Sequence, residues 1–165
     1  MAVRPGRPLK TTELRSTALE NFSIRTFRLD DAAQVIDLWR ECGLVVPWNN
    51  PQTDIDRKSA DSPQMFFVGE LKNELVASCM AGYDGHRGWI YFLAVKSSQQ
   101  RKGIASILVD HVEAELARLG CPKVELMVRK TNNRVISFYK SIGFDPDPVI
   151  VLSKRLIEDK KHEFG

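Results

Sequence analysis

The chain has 165 residues, with 24 Lys and Arg against 21 Asp and Glu, a net charge of +3. That length suits one domain, and 43% hydrophobic with 27% charged residues is ordinary globular composition, which excludes wholesale disorder and a collagen-like or coiled-coil chain. No apolar run approaches the roughly 18 residues of a membrane-crossing helix, and cations are interspersed with acids rather than gathered in the stripe expected of a nucleic-acid binder.

Residues 1–20 hold two Pro, four Lys or Arg and little hydrophobic periodicity, so they are expected to be a flexible N-terminal extension without the apolar core of a secretory leader. One domain is expected over 21–157, followed by a charged tail, 158–165. Ser23 to Leu29 alternates as a strand, and Asp30 can cap a helix whose stripe is Ala33, Ile36, Leu38 and Trp39, ending near Gly43. Pro47 and Pro51 mark a loop, after which Thr53 or Asp54 can cap a short helix to about Ala60. Met65–Leu71 and Leu75–Tyr83 read as a hairpin turning at Lys72-Asn73-Glu74, and Asp84-Gly85-His86-Arg87 turns into a strand from Trp89 to Val95. A long helix is expected from Lys102 to Leu119, closed by Gly120, with Ile104, Ile107, Leu108, Val112, Leu116 and Leu119 on one face. A strand over Lys123–Val128, a helix over Asn132–Ile142 stopped by Gly143, and a last strand over Val149–Leu152 complete a mixed sheet with helices packed on it.

Two stretches carry chemistry. Gln100-Arg101-Lys102-Gly103-Ile104-Ala105 puts a glycine in the first turn of the long helix, where it costs up to about 1 kcal/mol against Ala. Close backbone approach of an anionic ligand is one reason, since a helix start exposes unpaired N–H groups and partial positive charge. A tight strand-to-helix turn with two solvated cations is the other. In the second stretch, Asn132 can cap its helix and Tyr139 lies two turns further along the same face, as a reactive phenol or simply as packing on the sheet. Cys42, Cys79 and Cys121 are odd in number, widely spaced and without a CxxC pair, which supports neither disulfides nor a metal site and suits reduced thiols in the cytoplasm.

Taken together, Leu93-Ala94-Val95, Gln100-x-x-Gly103-x-Ala105, Asn132 with Val135-Ile136-x-Phe138-Tyr139, and Gly143-Phe144 resemble the GNAT family of acetyl-CoA-dependent N-acetyltransferases over residues 23–155. More narrowly, PWNNPQTDIDRK, AGYDGHRG and LSKRLIED resemble the bacterial YpeA-type subgroup, which sharpens the family and not the acceptor. The resemblance implies an α/β (α+β) fold with a mixed, mostly antiparallel sheet of about six or seven strands and helices on both faces. It implies transfer of acetyl from acetyl-CoA, as co-substrate, to a primary amine of a small molecule or protein in a ternary complex, without a metal. It also admits a homodimer.

In that reading the backbone of Leu93, Ala94 and Val95 pairs with the pantetheine arm. The turn from Gln100 through Arg101, Lys102, Gly103, Ile104, Ala105 and Ser106 holds the pyrophosphate. Asn132 bonds the pantetheine, and Tyr139 donates a proton to the leaving thiolate. Met127 stands where ribosomal-protein acetyltransferases of the family carry a Glu base, and Glu125, two residues earlier, is a substitute only on paper. His86, oriented by Asp84, is the other candidate base, against a plain polar turn. The family's acceptor region points to Trp48, Asn49 and Asp54, with Tyr83 at the head of the His86 turn; Trp48 also suits a hydrophobic plug over the sheet. The rival function is a non-catalytic acyl-CoA-binding regulatory module on the same fold.

Overall fold

A computed structural model describes residues 19–159; the expected extension, apart from its last two residues, and the end of the tail lie outside them. Five strands, β1 (Phe22–Thr26), β2 (Phe66–Leu71), β3 (Glu74–Tyr83), β4 (Gly88–Val95) and β5 (Val124–Glu125), form one sheet in sequence order. All neighbours are antiparallel except β4 and β5, which are parallel. The helices are α1 (Ala32–Glu41), α2 (Pro51–Asp61), α3 (Ile104–Arg118) and α4 (Asn133–Ser141).

Strand β3 explains the architecture. Its apolar run Leu75–Ala81 is buried throughout, as expected of a central strand covered on both faces. On one face α3 and α4 pack through Ile104, Leu108, Val112, Leu116 and Tyr139. On the other, α1 and α2 pack through Val35, Leu38, Trp39 and Ile55, with Phe66 and Val68 of β2 beneath them. The single polar side chain within the buried run is Ser78, whose Oγ accepts the Trp39 indole N–H at 2.9 Å.

Several expectations need correction. The sheet has five strands among the described residues, not six or seven, because Val149–Leu152 forms no strand and β5 keeps only two of the six residues assigned to it. Helix α2 starts at Pro51, with Asn50 rather than Thr53 or Asp54 as cap; Asn50 Oδ1 accepts the N–H groups of Gln52 and Thr53 at 3.0 and 3.2 Å, and proline suits a first helical position whose N–H would be unpaired anyway. Asp31, not Asp30, precedes α1, and its carboxylate does not cap α1 but closes the 3-10 turn Leu29–Asp31 before it and ties that turn to β1. It accepts the Arg25 guanidinium at 2.7 and 2.9 Å and the Arg28 N–H at 2.7 Å, while Arg25 also holds Glu70 of β2 at 2.6 Å. The glycine closures hold: α1, α4 and the long α3 each end with the second residue past the cap donating back to the fifth residue before it (Leu44 to Trp39, Phe144 to Tyr139, Cys121 to Leu116).

Ser78→Ala leaves the buried Trp39 N–H without a partner and should cost about 1–3 kcal/mol in urea unfolding; an unchanged midpoint would contradict that role. Arg25, first, and the Arg28 N–H hold the Asp31 carboxyl below the usual carboxylate range. Its contribution is therefore complete above the unfolded value near 3.9 and is lost as pH falls through the lower native value. Asp31→Asn should destabilise by about 1–2 kcal/mol at neutral pH, with the difference from wild type shrinking in acid.

Candidate active site

Strands β4 and β5 pair only at Gly88↔Val124 and Trp89↔Glu125, then part. Beyond Trp89 the β5-side edge of β4 has no ladder partner among the described residues, which leaves its backbone groups on that side unpaired by the sheet. The parting coincides with a bulge. Tyr91 faces Met80 and Ala94 faces Ser78, so Phe92 and Leu93 together oppose Cys79, and Phe92 takes the left-handed φ of +48°. An aromatic side chain rarely adopts that conformation, and here packing holds it: the Phe92 ring stacks on Trp39 at 4.2 Å, and Trp39 is fixed by its bond to Ser78.

At the far end of β4 the chain turns through Ser97–Gln99 and reaches α3 by two left-handed residues, Arg101 (φ +63°) and Gly103 (φ +91°). Gly103 is thus the residue before the helix, not part of its first turn, and the helix-interior penalty expected for it does not arise. A Cβ built there meets nothing within 4 Å, so the glycine serves a backbone conformation beside open space. No side chain caps α3. The N–H groups of Ile104, Ala105 and Ser106 therefore open the helix, flanked by exposed Arg101 and Lys102, while Ile107 closes the first helical bond to Gly103.

Gln100 joins this turn to the rest. Its Nε2 donates to the Val95 carbonyl at 2.9 Å and its Oε1 accepts from the Arg134 guanidinium at the start of α4. Asn132 caps α4, its Oδ1 accepting the Val135 N–H at 3.3 Å, and is otherwise exposed. Tyr139 is buried between Phe138 and Phe144, at ring distances of 5.0 and 5.3 Å. Burial pushes its phenol above the ordinary value, and a charge on Cys79 would push it further. Cys79, opposite the bulge, is itself fully buried and pushed up to about 12.

The other expected residues sit elsewhere. Asp84 is a turn builder: its Oδ1 accepts the N–H groups of Arg87 and His86 at 2.7 and 2.8 Å, and its Oδ2 accepts the Trp89 indole N–H at 3.0 Å. Those donors, Arg87 first and then Trp89, hold the carboxyl down at about 2. None of these bonds reaches the exposed His86 ring, which lies against Arg87 at 3.4 Å. The turn precedes Gly88, and extended chain from Gly88 to Phe92 spans about 13 Å, so His86 and Asp84 are not brought to the bulge. Glu125 is engaged by Lys123 at 3.2 Å and Arg87 at 3.4 Å, and Met127 is exposed.

Trp48 is half exposed, with the Arg129 guanidinium 5.7 Å from its ring centre, which ties the α1–α2 loop to the segment between β5 and α4. Asn49 accepts from Arg155 at 3.2 Å. Asp54 on α2 is raised by burial and then by Asp159, and its Oδ2 is buried without a hydrogen-bond partner among the described residues. Tyr83, at the end of β3, packs instead on the α3–α4 side. Arg129, Arg134 and the Phe92 bulge were not anticipated. Arg134 had one available signal, a cation at the second position of a helix, where the dipole disfavours it; a left-handed phenylalanine has none.

The acetyltransferase (GNAT) family matches residues 32–144. A protein named acetyltransferase from Sodalis glossinidius is 47% identical over 140 residues, covering 84% of this chain and 99% of its own. Another from Pectobacterium atrosepticum is 46% identical over 139 residues with the same coverage. Among solved structures, Ard1 from Thermoplasma volcanium has a TM-score of 0.68 at 24% identity, over 76% of this chain and 83% of that one. A predicted acetyltransferase from Clostridium acetobutylicum, solved with acetyl-CoA, has a TM-score of 0.62 at 17% identity, over 80% of this chain and 96% of that one. The open β4 edge, the bulge and the uncapped α3 start therefore belong to a member of the GNAT family, and this chain is an acetyltransferase.

Proposed function

We propose that this acetyltransferase moves acetyl from acetyl-CoA to a primary amine of a small molecule or protein by direct attack in a ternary complex. The observation that carries the reading is the alignment of three features along β4: an unpaired edge, a bulge, and an uncapped helix start at its end. Acetyl-CoA has the matching order of groups. Its pantetheine amides would pair with the backbone of Leu93, Ala94 and Val95, as an added strand does. Its pyrophosphate would lie against the turn from Gln100 to Ser106, on the N–H groups that open α3 and beside Arg101 and Lys102. Asn132, whose amide nitrogen is not used in capping, would bond the pantetheine arm.

Catalysis in this reading comes mostly from holding two reactants together. The amine attacks the thioester carbonyl, whose oxygen collects charge near the bulge N–H groups; the C–S bond then breaks, and the thiolate takes a proton from Tyr139. Burial keeps the phenol protonated across the working range, so the proton is present when the thiolate leaves, and the same shift makes the phenol a weaker acid. Among the described residues the two expected carboxylates are engaged elsewhere: Asp84 is committed to its turn and Glu125 to two cations. Water would carry the amine proton and return it to the Tyr139 phenolate, which restores the acid, and His86 can act only through such a relay. The acceptor would enter past Trp48, Asn49 and Asp54, where the unpaired Asp54 oxygen favours a cationic amine. The three free cysteines suit a cytoplasmic enzyme, and the likeness to the YpeA-type subgroup rests on the quoted segments alone.

The test is titration with acetyl-CoA alongside thiol release in the presence of a panel of amines. Saturable binding with amine-dependent release is expected; binding without release from any amine would favour the non-catalytic acyl-CoA-binding module. Gly103→Val should weaken acetyl-CoA binding at least about tenfold with the fold intact, because a β-branched residue resists φ > 0; unchanged affinity would remove the turn from the binding site. Tyr139→Phe should lower kcat about a hundredfold with little change in acetyl-CoA affinity, and a wild-type rate would remove it as the acid.

A further inference from the structure

Tyr91 lies one residue before the bulge. Its register partner is Met80, so its side chain stands on the face that Met80 shares with α1 and α2, where the Phe92 ring also lies. Met80 is buried there, yet Tyr91 is 40% exposed, and its phenol has no hydrogen-bond partner among the described residues. Burial, first, and then the charges of Asp84 and Asp61 hold that phenol above its ordinary value, so one carboxylate from the turn and one from the end of α2 act on it. Trp89, two residues earlier, adds a second aromatic side chain on the same face, and Gly82 stands opposite Trp89 and diagonal to Tyr91. The φ of Gly82 is not left-handed, and a Cβ built there would meet only Lys58 Nζ at 3.9 Å, so neither backbone nor packing demands a glycine. A glycine inside a strand then marks a place kept clear for close approach. Lys58 itself is turned onto the Ala81 carbonyl and the Ser62 hydroxyl.

We propose that Tyr91 binds the acceptor, its phenol oxygen accepting an N–H of a cationic primary amine that reaches the bulge from the α1–α2 face. The assignment rests on the acetyl-transfer reading above and gives it an acceptor-binding residue. Leu93 is two residues on, about 7 Å along the strand, so an amine held by the phenol lies beside the place where that reading puts the thioester. The surroundings select the chemical class: aromatic faces and two carboxylates attract an ammonium group, and Gly82 leaves the floor in front of them open. A neutral hydroxyl accepts an N–H while keeping its own proton, so the raised value of the phenol does not impede this role. Tyr139 would then work from the α3–α4 face on the departing sulfur, and Tyr91 from the opposite face on the incoming nitrogen.

Nuclear magnetic resonance of the full chain with ring-labelled tyrosine decides the matter, because Tyr83, Tyr91 and Tyr139 are its three tyrosines and each phenylalanine variant assigns one set of signals. Butylammonium chloride, titrated at constant ionic strength, should move the Tyr91 signals saturably and leave Tyr83 in place, since Tyr83 packs on the α3–α4 side. Butanol, the neutral analogue, should move none of them. Gly82→Val suits a strand and should keep the melting temperature, yet weaken the butylammonium response at least about tenfold by filling the cleared floor. Tyr91→Phe removes a hydroxyl that bonds nothing in the free chain, so its melting and its acetyl-CoA affinity should match wild type. With the most active amine of the panel, its KM for the amine should rise about tenfold. Tyr91 signals indifferent to butylammonium, or moved equally by butanol, would overturn the proposal, as would a wild-type KM in Tyr91→Phe or a full response in Gly82→Val. Acetyl-CoA is read separately, at the Tyr139 signals: silence there counts against the acetyl-CoA reading, while silence at Tyr91 counts against this one.

Discussion

Everything at the active site depends on β4 leaving β5 after two paired residues. A fully laddered β4 would have no backbone groups to offer a ligand and no groove to admit one. The bulge at Phe92 and Leu93 is where the strand is bent, and its unfavourable φ is sustained from the opposite face of the sheet. Phe92 lies flat on Trp39, Trp39 is pinned to Ser78, and Ser78 is the residue paired with Ala94 on the next rung. Helix α1, which carries no proposed catalytic residue, thereby sets the shape of the groove on the other side. A buried hydroxyl in an otherwise apolar strand has its explanation in that relay.

The burial of Tyr139 resolves two demands. In the proposed reaction Tyr139 must remain protonated until the thiolate departs, and a helix of nine residues needs an anchor in the core. Placing the ring between Phe138 and Phe144 does both, and closing α4 onto the Tyr139 carbonyl through Phe144 fixes the ring's backbone. The fully buried Cys79 thiol across the bulge is held protonated by the same low polarity, so it adds no competing charge.

What was legible in the sequence follows from how local each determinant is. Helix closures at Gly43, Gly120 and Gly143 need only a few neighbouring residues, and all three stand where the pattern put them. The apolar run of β3 and the stripes of α1 and α3 are periodic signals that give the two-sided sheet, although Ala33, Ile107 and Leu119 of the expected faces are exposed and Val35 is buried instead. The start of α2 was misplaced because Pro51 at a first helical position looks like a breaker until the cap before it is seen. Gly103 was recognised as special for a helix-interior reason, when its φ of +91° was the real one. The Phe92 bulge depends on Trp39 and Ser78, distant in sequence, and no local pattern announces it. Val149–Leu152 has every mark of a strand by composition, yet a strand also needs a partner, and propensity cannot supply one.

Charge around the groove also runs against what folding alone would select. A cation near a helix start is disfavoured by about 0.3–1 kcal/mol, yet Arg101 and Lys102 precede α3 and Arg134 occupies the second position of α4. Gln100 draws the two starts together rather than apart, bonding the Arg134 guanidinium with one end of its amide and the end of β4 with the other. Exposed Arg101 and Lys102 and the start of α3, which has no side-chain cap, border open space at Gly103, an arrangement that an anion would relieve. In the proposed reading a diphosphate has the charge and the reach to do so, with the Arg134 guanidinium held beside the turn by the Gln100 amide. In that reading acetyl-CoA would bind in one direction, with its phosphates at the Val95 end of β4 and its thioester toward the bulge.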